Sequence, residues 1–156
     1  MRRALSLIGM VVAAAVLAAP AAGAIFIQIV TGHVHRGGSL ALTSDATAMP
    51  LYALPLSRMP CAKYGICTGP IQRRAAPTRA PFVFLARTPG HASGMTRPRA
   101  FWIRLPRALL PGKYVVFVWC AACGGSRGGS LIVAGSDPSG QPQTLDVLPE
   151  LPQFVR

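Results

Sequence analysis

Acidic residues are nearly missing from this chain: its 156 residues include only Asp45, Asp137, Asp146 and Glu150. Acid–base chemistry by paired carboxylates needs two of them across one substrate, and three of the four fall within the last 20 residues. Histidine is also scarce, with His33, His35 and His91 and none beyond. The stretch Gly124-Gly125-Ser126-Arg127-Gly128 matches G-x-S-x-G. A nucleophile elbow requires an acid and then a histidine after its serine, so that order fails here. The order His33 or His35, Asp45, then Ser126 or Ser130 has a single acid to draw on. Internal repeats and amphipathic helices are lacking outside the first 24 residues, which excludes helical bundles and solenoids. An enzyme is therefore not the expected reading.

Positive charge is present in excess. Sixteen basic residues, 14 of them arginine, give a formal net charge of +12. Such a chain attracts anionic partners, and an anionic envelope surface or another envelope protein is the expected one. The arginines are scattered and no recognition motif accompanies them, so specific nucleic-acid binding is not expected.

Met1-Arg2-Arg3 followed by an apolar run to Ala19 has the build of a secretory signal, and Ala22-Gly23-Ala24 offers a small-residue cleavage site. Residues 1–24 are expected to be a signal peptide, leaving 132 residues in a periplasmic or secreted product. The alternative is an uncleaved membrane anchor, because Ile25-Phe26-Ile27 prolongs the apolar run.

Beyond it, Ile25–Val30, Ser39–Thr43, Phe82–Leu85, Ala100–Leu105, Tyr114–Trp119 and Leu131–Val133 read as six short strands with Gly/Pro punctuation. The pattern predicts a mainly β fold, a small immunoglobulin-like or cupredoxin-like β-sandwich over 25–136 with a long Pro-rich loop. That loop is 49–81, where prolines at 50, 55, 60, 70, 77 and 81 remove ladder donors. Residues 137–156 hold four more prolines and read as a tail extended over the surface. The most strongly patterned stretch is Pro111–Val133: a turn, an apolar strand ending at Trp119-Cys120, a glycine-rich loop, and a returning strand.

Cysteines number four, Cys61, Cys67, Cys120 and Cys123, an even set that predicts disulfides in an exported chain. Three connectivities are open. Trp119-Cys120-Ala121-Ala122-Cys123 after an apolar strand resembles the Trp-Cys-x-x-Cys of thioredoxin-like oxidoreductases, which would imply thiol–disulfide exchange through Cys120 and Cys123. In that family a helix N-terminus supports the attacking thiolate; here glycines at 124, 125, 128 and 129 follow, each costing about 1 kcal/mol in a helix. The same hairpin resembles the last strands of cupredoxins, with Cys120 at the position of the ligand cysteine. Copper or zinc is the cofactor class considered, through His33 and His35, with His91 and Met95 as further soft or imidazole donors.

These features order the functional expectations. First comes an exported, non-enzymatic binding module using a basic face and the loops around 57–80 and 120–129. A metal-binding protein through His33/His35 and an oxidoreductase through Cys120/Cys123 follow as alternatives.

Overall fold

Short runs rich in apolar and β-branched residues, some alternating with polar ones and some unbroken, form ten strands in a computed structural model that describes residues 25–59, 71–90, 97–135 and 142–150. In chain order they are β1 (Ile27–Ile29), β2 (His33–His35), β3 (Ser39–Ser44), β4 (Pro50–Pro55), β5 (Ile71–Arg73), β6 (Val83–Arg87), β7 (Arg99–Arg104), β8 (Gly112–Cys120), β9 (Gly129–Val133) and β10 (Thr144–Leu148). Among the described residues, helix is confined to two 3₁₀ segments, Leu56–Arg58 and Ala121–Arg127. No helix among them is long and apolar enough to cross a membrane. The expected signal segment 1–24, Cys61, Cys67, His91 and Met95 lie outside the described residues.

The strands form two sheets. Three of them make an antiparallel sheet in the order β1-β3-β7. The other seven are organised around β8, in the order β2-β10-β8-β4-β6. On one side β8 pairs with β4 through Tyr114–Val118. On the other, its first residues pair with β10 and its last, Phe117–Cys120, with β9, while β5 pairs with the far side of β9. Only β2 and β10 run parallel among these pairs.

Because side chains alternate across a strand, the unbroken apolar run of β8 must bury both faces. Tyr114, Val116 and Val118 enter a core with Leu40, Leu42 and Phe101 of the three-stranded sheet. Val115, Phe117 and Trp119 point the other way, into a second cluster with Tyr52, Leu54, Met59 and Leu131. That cluster is covered by Leu56, Ile71, Ala76, Phe82 and Val133, so side chains of the run 71–82 lie against the outer face of the large sheet.

Three expectations change. Ten strands stand where six were read, and β1 and β2 are separate strands. The irregular reading of 49–81 gives way at β4 and β5. In β4 the prolines occupy only the first and last positions, which leaves the amides of Leu51–Leu54 for the ladders with β8 and β6. The reading of 137–156 as a surface tail fails at β10, which is inserted between β2 and β8 with Leu145 and Val147 at 0% and 1% exposure. Its two inward residues alternate with Thr144 and Asp146, and Pro142 and Pro149 flank this pattern without interrupting it.

Candidate functional site

The end of β8 turns into the 3₁₀ segment Ala121–Arg127 because the chain must reverse within a few residues, and glycines make the reversal close. The ring of Trp119 lies against Gly129, where a Cβ would collide with it. Gly128 has φ +105°, and a Cβ there would stand 2.5 Å from the carbonyl oxygen of Arg73 and 2.8 Å from the Cα of Arg74. Only glycine accepts both that backbone conformation and that approach. Cys120 and Cys123 are joined by a disulfide, with Cα atoms 5.4 Å apart, and Ser130 Oγ donates to the Cys123 carbonyl at 3.3 Å. This is the local one of the pairings open to Cys120 and Cys123.

Pairing of β5 with β9 then fixes what faces this loop. Ile71 is opposite Leu131, Gln72 opposite Ser130, and Arg73 opposite Gly129. Arg73 and Arg74 are thereby carried to Ser126, Arg127 and Gly128, and together with Gln72 these residues line one open recess. A second recess adjoins it, also lined by Arg73 and Arg74, and adds Thr78, Arg79 and Phe82. The two loops named for recognition, 57–80 and 120–129, meet here.

The electrostatics of the site are one-sided. Among the described residues, no acid lines either recess. None of Arg73, Arg74, Arg79 and Arg127 has a carboxylate partner among the described residues. The Arg73 guanidinium instead lies over the Phe82 ring, 5.0 Å from its centroid, an arrangement worth about 0.5–1 kcal/mol at exposed sites. Phe82 in turn meets Phe117 edge-on, with centroids 6.2 Å apart. Arg73 is thus seated on the outer hydrophobic cluster. Guanidinium groups present flat forks of donors that match the paired oxygens of phosphate, sulfate and carboxylate.

The other sequence-named residues lie elsewhere or act differently. His33 and His35 share one face of β2, opposite buried Val34, as alternation requires. His33 Nδ1 is 3.5 Å from Asp146 Oδ2, and His35 Nδ1 is 2.7 Å from the Pro149 carbonyl. Among the described residues, no group of three or more His, Cys, Asp or Glu is placed to hold a metal ion. Asp146 is level with Lys113 near the start of β8, whereas Ser126 follows its end. A nine-residue strand is roughly 30 Å long, so neither histidine reaches Ser126. Cys120 is buried at the strand end and Cys123 is exposed in a 3₁₀ segment, without the α-helix whose N-terminus would stabilise an attacking thiolate.

Sequence reading names the loops around 57–80 and 120–129 separately; the first carries the basic run Gln72-Arg73-Arg74 to Arg79. Their contact is missed, because the short strand β5 that joins them is only three residues long. Its signal is the lone apolar Ile71 before the arginines. Compared with family models, with curated proteins and with solved structures, the chain matches none.

Proposed function

We propose that this chain is an exported, non-enzymatic binding module of the envelope or secreted space, an immunoglobulin-like or cupredoxin-like sandwich that recognises anionic groups on a surface or partner. The observation that carries this reading is the convergence of Arg73, Arg74 and Arg127 on one recess without an acid among its lining residues. Exposed guanidiniums act over about 8 Å at physiological ionic strength, so binding should be strongly salt-sensitive. The test is capture of the protein by anionic and by neutral vesicles at low salt and at about 1 M salt, where the Debye length shrinks to about 3 Å. Capture by anionic vesicles alone, lost at high salt and lost in the R73A/R74A/R127A variant, is the expected result. Capture that ignores salt and the three substitutions would overturn the reading.

A second reading, copper or zinc held through His33 and His35, is favoured by one detail. A bond from His35 Nδ1–H to the Pro149 carbonyl leaves Nε2 as the ring's acceptor nitrogen, the tautomer that metal-binding histidines adopt. A third donor is still required. Replacing both histidines with alanine should abolish copper retention in dialysis; retention unchanged by the double substitution rules this reading out.

A further inference from the structure

The recess at Arg127 does not stand alone, and its neighbour is built in the same way. Arg73 and Arg74 line both recesses. The first adds its own arginine and hydroxyl, Arg127 and Ser126, and the second adds Arg79 and Thr78. Among the described residues, each half therefore has the shared pair, one private guanidinium and one private hydroxyl, and Gln72 adds a further polar group to the first. Each half thus offers donors of the kind that bind an oxyanion.

Charge leads to the same conclusion. A phosphate monoester carries about −1.5 to −2 at neutral pH, so one such group would neutralise about two of these guanidiniums. Four arginines with no lining carboxylate are matched by two phosphates. The shared pair is also the best positioned part of the site: Arg73 is seated on Phe82, and the backbone of both residues is packed against Gly128. The private groups belong to the two recesses that share this pair.

We infer that the site takes a ligand bearing two phosphate groups on one molecule, one in each recess, with Arg73 and Arg74 between them. This rests on the anion-binding reading and goes further by naming the ligand's chemistry. The phosphates could belong to a soluble compound or to a doubly phosphorylated lipid head group, and the experiment separates these sources.

Orthophosphate and tripolyphosphate are titrated into the purified full chain and into its R79A and R127A variants, each checked for native circular dichroism. Joining two binding groups makes the second contact intramolecular, so tripolyphosphate should bind at least about tenfold more tightly than orthophosphate. Either substitution should remove that advantage, because only one complete recess remains, and should weaken orthophosphate binding less than tripolyphosphate binding. Capture on vesicles with a doubly phosphorylated lipid, against vesicles with phosphatidic acid, is measured in parallel. Preference for the doubly phosphorylated vesicles assigns the lipid source; tripolyphosphate binding without vesicle preference assigns the soluble one.

Equal affinity for both soluble probes with no vesicle preference overturns the inference, as does a tripolyphosphate advantage untouched by R79A. In those outcomes salt-sensitive anion binding still stands. Failure to bind either probe or either vesicle at low salt overturns the anion-binding reading itself.

Discussion

The two faces of β8 bury side chains of the same kind in unlike surroundings. Tyr114, Val116 and Val118 are enclosed between two sheets, in a core that holds 19 of the described residues, drawn from most of the strands. Val115, Phe117 and Trp119 belong to a cluster that holds 7 of the described residues, covered by Leu56, Val133 and a short run with Ile71, Ala76 and Phe82. The inner core depends on many contributors, none of which lines the two recesses. The outer cluster has few, and one of its covering residues, Phe82, supports Arg73 directly. Stability and the candidate site are thus separable on one face and coupled on the other.

Substitutions on the two faces should therefore part company. Phe117→Ala removes a side chain of 0% exposure from the outer cluster and takes away the edge-on partner of Phe82. It should cost about 3–5 kcal/mol in chemical denaturation, and the protein that remains folded should bind anions less well. Leu42→Ala, in the inner core, should cost about 2–5 kcal/mol and leave the anion affinity of the folded fraction unchanged. Equal effects of the two on binding would dissolve the distinction.

Gly128→Ala sharpens the comparison because it touches the site's backbone and neither cluster. The added methyl meets Arg73 and Arg74 main-chain atoms and requires a strained φ. A loss of about 1–3 kcal/mol is expected, with binding reduced more than in any single arginine substitution, since both shared arginines are displaced. Affinity equal to that of the unsubstituted protein would show that the close approach does not position them.

The smallest effect concerns pH and the inner face. Burial raises the Tyr114 phenol above its ordinary value of 10.0, and its hydroxyl donates to the Leu110 carbonyl at 2.8 Å. The unfolded chain ionises first as pH rises, so the folded state loses relative stability above about pH 10 and regains it below. Urea midpoints should fall across that alkaline range, less so in Tyr114→Phe, while anion binding by the folded protein shows no break due to Tyr114. An unchanged alkaline fall in the variant would assign it to other groups.

Much of the architecture is legible in the residues. The run Tyr114–Trp119 and the turn at Pro111-Gly112 announce the central strand, because aromatic and β-branched side chains suit a strand buried on both faces. Strands β4 and β10 are harder to read, since prolines at their borders resemble prolines in their interiors until the pairing is known. The glycine-rich loop and the basic run are each visible as recognition elements. Their meeting is not, because the register of three-residue β5 against β9 is a tertiary choice made by Ile71 entering the outer cluster. The disulfide Cys120–Cys123 is legible as one of several pairings, and its selection follows from the tight reversal after β8.

The most direct test of the central claim follows arginine side chains individually. In heteronuclear NMR spectra of the full chain titrated with phosphate at low salt, the Nε–H signals of Arg73, Arg74, Arg79 and Arg127 should move together and saturate. Those of Arg36, Arg104 and Arg107, which lie away from the two recesses, should stay in place. Shifts spread evenly over all arginines, or confined to the second group, would contradict a built anion site where β5 meets the β8–β9 loop.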